Sequence, residues 1–440
     1  MRTASPSMRG ALPQHAPPRL TMIASNANHR SLEPLEPVVI TGIGLVTSVG
    51  TQREDVWKAV RSGASGVRNL EGLMGIPVGL LQGAPADVAP EYPGQLKVIS
   101  LTQHATREAL ADAQVDLENI DRANFGCALS AHMGDTAWVN EKIHREDLLG
   151  NYARPWCEQF FPLTACTSVA QRYGLGGPLL AHSTACASGM IDILGAVRMI
   201  QDGQCDIALA GGAEAFHPVF AAGFYQMRVL AHHDDPTQAC RPFDRNRQGF
   251  VMGEGGAVFV LERESHARAR GAVPYAQILG GAMLAEAHHV TGLDAESDAL
   301  AHLIDRALSR ADVKTTDIGH INAHGTGTQQ NDLVEARGIH KAFGPAAREV
   351  LVSGTKSMLG HLVNASGSVE LALTTLALRD QFAPPTLNLT DPDPECDLNV
   401  VPPTGHALNT DHALKLSIAF GGHLAAIVLR RLPSGRDRQS

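Results

Sequence analysis

The chain has 440 residues, enough for two large α/β units or roughly three average domains, and only 18% of them are charged against ~25% in typical domains, so unusually little of the chain is destined for a solvated surface. A broad subunit interface would account for that. The net charge of −9 is scattered without a basic stripe, which argues against nucleic acid; no apolar run reaches the ~18 to 20 residues that span a bilayer, and seven cysteines without repeating spacing outline no disulfide framework, as suits a soluble chain in a reducing cytoplasm.

Residues 1–36 are rich in Pro, Ser and Ala, with no acid before Glu33. They read as a disordered extension, with Met8 or Met22 as alternative starts, because the prolines spoil an amphipathic helix and a signal peptide's continuous apolar core is missing. Order begins with "EPVVITGIGLVTSVG", an apolar, β-branched run closed by glycines, which predicts a buried strand and turn. Thr51 and Glu54 then have the spacing of a capping box ahead of a helix carrying Val56, Trp57 and Val60.

Further along, "LLAHSTACASGMIDILGAVRMIQDG" predicts a strand over Pro178 to Thr184, a tight corner of small residues around Cys186, and a helix to about Gly203. Asp192 and Arg198 are the only charges between Gly189 and Gln201, which predicts a helix buried nearly all round. A thiol at a helix N-terminus meets unpaired N–H groups and the positive end of the dipole; both favour thiolate, and the same groups can hold an oxyanion. Free cysteines are commonly just small core residues. The setting of Cys186 separates it from Cys127, Cys157, Cys166, Cys205, Cys240 and Cys396, none of which sits at such an elbow. "CDIALAGGAEA" supplies the next strand and completes a βαβ unit.

The same logic restarts near residue 274 with "YAQILGGAMLAEAHHVTG" and an apolar stripe of Leu300, Leu303, Ile304, Ala307 and Leu308, so two successive α/β halves are predicted, 37–274 and 275–432, with 433–440 as a tail. No residue-level repeat between them is evident. "GHINAHGTGTQQND" puts His324 on a Gly/Thr turn after a strand, with Asp332 before a helix; "VLVSGTKSMLGHLVNASGSVELALTTLAL" puts Lys356 and His361 on another such loop before a helix containing Glu370. Either histidine alone reads as structural, but both beside glycine after a strand are candidate partners for a thiol nucleophile.

Taken with "VVITGIGLVTSVG", "STACASG", "RPFDRNRQGFVMGEGGAV", "LALRDQFAPPTLNL" and "AFGG", these segments resemble the β-ketoacyl-acyl-carrier-protein synthases of the elongating Cys-His-His class, which includes fatty-acid synthase II and type II polyketide ketosynthases. The resemblance spans roughly residues 37–432. It implies a thiolase-like fold, two related α/β halves forming a five-layered αβαβα architecture, usually paired as a homodimer. It also implies decarboxylative condensation of an acyl-enzyme with malonyl-acyl-carrier protein, without a cofactor or metal. Cys186 would carry the acyl chain, with the N–H groups of Cys186 and Phe420 as oxyanion hole. His324 and His361 would stabilise the malonyl-derived enolate, Lys356 and Glu370 would support them, Thr326 and Thr328 would meet the phosphopantetheine arm, and Ile418 with Phe420 would form a gate. Arg245 and Arg247 read as solvated surface charges, with contact to the acidic carrier protein as the other option.

The pattern is not followed everywhere. "FFPLTACTSVAQRY" is shorter than usual and lacks an asparagine, "ALSAHMGD" replaces a glycine-rich turn, and Ile418, Ala419 and Leu424 stand where an aromatic, a glycine and an asparagine are common. All bear on the acyl pocket, leaving fatty acid, polyene and polyketide chains open. Thiolases need a second cysteine in a late loop, which "IAFGGHLAAIVL" lacks, and the CoA-primed initiating synthases pair Cys with His and Asn. A chain-length or scaffold subunit of a polyketide or polyene system remains the alternative function, and pairing with such a subunit the alternative to a homodimer. "AHHDD" at 231–235 and "AHHV" at 287–290 lack the spacing of zinc ligands and read as loop or pocket lining.

Overall fold

The computed structural model describes residues 36–70, 81–92, 95–131, 159, 161–216 and 218–432. The predictions for 1–35 and 433–440, for Cys157 and for the second half of "ALSAHMGD" lie outside these residues.

Ten strands form the main sheet: β1 (Val38–Thr47), β2 (Phe125–Ala131), β3 (Leu179–Leu180), β4 (Ile207–Glu214), β5 (Gly255–Arg263), β6 (Ala276–Ala285), β7 (Ile318–Asn322), β8 (Leu351–Ser353), β9 (His412–Ala419) and β10 (His423–Arg431). Their order is β8-β7-β9-β10-β6-β1-β5-β4-β2-β3. Read outward from the centre, β1-β5-β4-β2-β3 and β6-β10-β9-β7-β8 are the same sequence of moves. The pairing senses match as well: antiparallel, antiparallel, parallel, parallel on each side. The two sets meet only through Val38–Ile40 of β1 against Ala276–Ile278 of β6.

Helices repeat the scheme. In the first half α1 (Lys97–Asp112), α2 (Thr164–Tyr173) and α3 (Ser188–Gln201) follow β1, β2 and β3; in the second, α4 (Ala299–Ala311), α5 (Gln329–Phe343) and α6 (Ser366–Asp380) follow β6, β7 and β8. α3 and α6 pack on each other and on strands of both sets, while α1 and α4 cover the outer faces, giving the five-layered, thiolase-like αβαβα arrangement. The middle layer explains its sequences. Every residue of α6 from Ser366 to Leu378 is buried, and α3 exposes only Arg198. β1 is likewise buried at all ten positions, which is why it reads as a continuous apolar run.

Gly42 and Gly44 lie within β1, where a Cβ would come 2.3 Å from Ala109 O and 1.8 Å from Ala105 O; they let α1 approach the strand. A residue-level echo of the duplication also emerges. "ACASG" at 185–189 and "VNASG" at 363–367 open α3 and α6, and Ala185 (φ 46°) and Val363 (φ 39°) both adopt the left-handed region that side chains disfavour.

Two local expectations are corrected. The strand over 178–184 shrinks to Leu179–Leu180 because α3 takes the later donors: His182 N–H binds Asp192 Oδ1 at 3.2 Å and Thr184 N–H binds Ser188 Oγ at 2.9 Å. The Thr51/Glu54 capping box does not form. The helix starts at Arg53, whose N–H is capped by Glu108 at 2.7 Å, while Glu54 is engaged by Arg53 and Arg379. Among the described residues no helix is long and apolar enough to cross a membrane.

Candidate active site

Cys186 sits in a one-turn 3-10 segment, Ala185–Ala187, directly before α3. Ser188 Oγ donates to Ala185 O at 2.7 Å and accepts from Thr184 N, which locks the strained corner. The sulfur lies 3.1 Å from His361 Nε2, and the N–H groups of Cys186 and Phe420 both point to it. Burial pushes the thiol up to about 12, outweighing the nearby Lys356 ammonium and those N–H groups. As the helix terminus predicts, those N–H groups favour thiolate, but they do not overcome desolvation, and the proton needs an acceptor.

His324 follows β7 on a turn held from below. Its own N–H and that of Gly325 donate to the two oxygens of Glu335 at 2.5 and 2.7 Å, and Gly325 and Gly327 take φ of 46° and 81°. Lys356 Nζ donates to the His324 carbonyl and lies 3.4 Å from its Nδ1, while pairing with Glu370 at 2.6 Å. His361 Nδ1 lies 2.7 Å from Ser366 Oγ on the first turn of α6. The two imidazoles meet edge to face, centroids 5.3 Å apart, and Phe250 also meets His361 edge to face at 5.0 Å.

Burial holds both imidazoles well below the ordinary histidine range, with the Lys356 and Lys415 ammonium groups adding to the effect, so both are neutral at physiological pH. Cys186, His324 and His361 offer ligand atoms within 4.8 Å of one another, the one such set of three or more potential ligands among the described residues. Two buried ammonium groups behind it oppose a dication.

A cavity of about 400 Å³ opens onto these three residues and is lined also by Thr326, Thr328, Ile418 and Phe420, so every residue given a site role by the resemblance except Lys356 and Glu370 lines one space. Lys356 and Glu370 lie directly behind it, 1% and 2% exposed at the side chain. Thr326 and Thr328 share a hydroxyl contact at 2.9 Å, and Thr328 also caps α5 by accepting from Asn331 N–H. Arg245 is a surface residue paired loosely with Asp391 at 3.6 Å. Arg247 is not: its side chain is 2% exposed, bonded to Asp393 at 2.5 Å and to the carbonyls of Asp244, Thr328 and Gln329, which corrects the surface reading. His233 and His289 close their own loops by binding the backbone near Asp235 and Thr291, and His289 also lines the cavity.

Sequence reasoning missed Glu335, Ser366 and Lys415. Lys415 had a signal, a lone charge inside the apolar run "HALKLSIAF"; Glu335 and Ser366 had none beyond their spacing from His324 and His361.

The family comparison agrees with this geometry. The family models described as Beta-ketoacyl synthase, N-terminal domain and C-terminal domain match residues 97–267 and 275–390. The 3-oxoacyl-[acyl-carrier-protein] synthase 2 of Vibrio harveyi is 34% identical over 420 residues, covering 90% of this chain and 98% of that protein. The tetracenomycin polyketide synthase ketoacyl synthase alpha subunit of Streptomyces glaucescens is 35% identical over 412 residues, covering 90% and 97%. A type II polyketide ketosynthase solved with its acyl-carrier protein and bound to the hexaketide superimposes with a TM-score of 0.84 at 32% identity, over 91% of this chain and all of that one. With its duplicated thiolase-like fold and its buried thiol facing two imidazoles, the chain belongs to the β-ketoacyl synthase family.

Proposed function

We propose that the chain is an elongating β-ketoacyl-acyl-carrier-protein synthase in which Cys186, His324 and His361 carry the chemistry. The observation that supports this most directly is the 3.1 Å approach of His361 Nε2 to the Cys186 sulfur, beside a second neutral imidazole. When Ser366 Oγ accepts from Nδ1–H, Nε2 of His361 presents a lone pair to the thiol. The thiolate so formed attacks the acyl thioester, the N–H groups of Cys186 and Phe420 hold the oxyanion, and the carrier leaves as a thiol after taking up the proton.

Malonyl-carrier protein then enters through the cavity, with Thr326 and Thr328 along the path of its phosphopantetheine arm. Cleavage of the bond to the carboxylate releases CO2 and leaves its electron pair as an enolate on the thioester, stabilised by Nε2–H of both imidazoles. Lys356 donates toward Nδ1 of His324, which leaves the ring proton on Nε2. Ser366, whose hydroxyl both donates and accepts, serves either tautomer of His361. The enolate carbon attacks acyl-Cys186, the C–S bond breaks, and β-ketoacyl-carrier protein forms as the sulfur leaves as a thiolate, which takes a proton from solvent to restore the thiol.

The halves divide at 274/275, a boundary supported by the repeated strand order and by the gap between the two family matches. Acyl-carrier protein is the partner, in acyl and malonyl forms, in the cytoplasm, and the working unit is a homodimer. The Streptomyces relative's name as an alpha subunit supports testing a ketosynthase-like second subunit as well. The test is to supply the purified chain with acyl- and malonyl-carrier proteins and follow products by mass spectrometry. One acyl mass on the Cys186 peptide and one CO2 per β-ketoacyl product are expected; acylation of Cys166 or Cys205 instead would refute the assignment.

A further inference from the structure

Lys415 is a lysine on β9 with no exposed surface, two strands in from the edge of the main sheet. Its Nζ is 2.8 Å from Glu370 Oε2, while Lys356 holds Oε1 of the same carboxylate at 2.6 Å. It also donates to the carbonyl of Ala323 at 3.2 Å and to that of Leu416, and lies 3.5 Å from that of Asn322. Asn322 ends β7 and Ala323 immediately precedes His324. Two ammonium groups on one carboxylate therefore hold consecutive carbonyls of a single turn: Lys415 those of Asn322 and Ala323, Lys356 that of His324.

Burying a second ammonium is costly, and one lysine would suffice to neutralise Glu370. The surplus charge is the informative part. Groups facing it are His320 on β7, His324 on the following turn, Glu335 on α5, Lys356 and His361 on the loop after β8, and Glu370 on α6. Glu335, raised to about 7 by burial, offsets it only in part.

We propose that Lys415 is a positioning residue for the decarboxylation step: it fixes the His324 turn through the Asn322 and Ala323 carbonyls, and its charge keeps His324 and His361 as neutral hydrogen-bond donors. This rests on the enolate role proposed above for the two histidines. A lysine here acts through the imidazoles without touching substrate. Removing its charge makes protonation of either ring easier, and an imidazolium opposite CO2 release would hold the malonyl carboxylate instead of letting it leave.

The test uses the full chain carrying Cys186→Gln, so that CO2 release from malonyl-carrier protein is read without acyl transfer. That parent should show its acid limb well below pH 6.5, the ordinary histidine value, because burial and the neighbouring ammonium groups hold both imidazoles down. Adding Lys415→Met should lower the rate at neutral pH by about 10-fold and move the acid limb up by about one pH unit or more. Lys415→Arg should keep the parent's limb whatever happens to its rate. A Lys415→Met protein that shares the parent's acid limb overturns the proposal, since a packing role alone lowers rate without moving the limb. Where Lys415→Met does not fold, Lys415→Gln makes the same comparison, with a neutral amide for the carbonyls; where neither folds, a shifted limb in Lys415→Arg overturns the proposal. A parent that releases no CO2 at any pH would instead bring down the enolate role of the histidines.

Discussion

Asp192 lies as far beyond Cys186 as Glu370 lies beyond Asn364, so each half buries one carboxylate at the equivalent point of its central helix. Their partners differ. Asp192 takes the backbone and ring N–H of half-exposed His182, the latter at 2.5 Å, whereas Glu370 is shared by two buried lysines. Only the second pairing leads to the imidazoles. Asp192→Ala should cost about 2 kcal/mol in stability, from the lost bonds to a buried acceptor, and keep condensation within a few-fold. Glu370→Ala leaves two ammonium groups unpaired and should cost about 3–5 kcal/mol and abolish CO2 release. Urea unfolding alongside a CO2 assay separates the two; equal loss of activity in both variants would contradict this division.

Three buried histidines make the fold acid-sensitive. His320 is brought down to about 3 by burial, with Lys415 adding to it, and His324 and His361 are depressed in the same direction. A histidine whose folded pKa lies below its unfolded value resists protonation only while folded, so stability is full above the unfolded value near 6.5 and falls as pH drops below it. Each such group contributes a slope of about 1.4 kcal/mol per pH unit in that window. Chemical denaturation at several pH values between 7.5 and 5 should show this fall, and His320→Gln should remove one histidine's share. An unchanged slope in that variant would contradict the assignment.

Arg247 and Arg245 are close in sequence but should behave oppositely. Arg247→Ala leaves Asp393 and Asp332 without their buried cation and frees the Thr328 and Gln329 carbonyls, so a loss of about 3 kcal/mol and a raised KM for the carrier substrate are expected. Arg245→Ala removes an exposed pair worth at most about 1 kcal/mol, and its melting point should be unchanged. Thermal melts of the two variants decide the matter.

The gate carries a specificity prediction. Ile418 and Ala419 are buried on β9 just before Phe420, and both line the cavity. A branched Ile is smaller than a phenyl ring yet stiff, and Ala restricts the backbone more than Gly, so the entrance should be wider but less mobile than one built with an aromatic and glycine. Restoring Ile418→Phe with Ala419→Gly should narrow the accepted starters, slowing the bulkiest more than a short saturated chain. Identical relative rates across a starter panel would show that these positions do not set specificity.

Much of this was legible in the sequence, for a physical reason. Cys186, His324 and His361 sit at strand-to-helix corners, where small residues and glycines mark a tight turn, so each announces itself locally. Glu335 and Ser366 lie near their histidines in sequence, but their residue types do not mark which way the turn folds them, and Lys415 acts on carbonyls and a carboxylate of elements far from it in the chain, a distance across a sheet that no local pattern encodes. Arg247 failed for the same reason: an arginine among polar neighbours looks solvated until α5 and the 390s are folded over it. The duplication was visible as two starts of similar character, but its proof is the strand order, a property of pairing and not of residue identity.

The separation of sulfur and imidazole is set by neither residue alone, because Cys186 is delivered by the start of α3 and His361 by the loop that opens α6. Those two starts interlock through glycines. A Cβ at Gly189 would come 3.0 Å from Asn364 O, and one at Gly367 would come 2.3 Å from Met190 Cγ. A single methyl at Gly367 would therefore act as a wedge, prising thiol from base while leaving both side chains, and every atom that meets substrate, chemically intact. The reactivity of this enzyme is tuned at a hydrogen-sized gap between two helices.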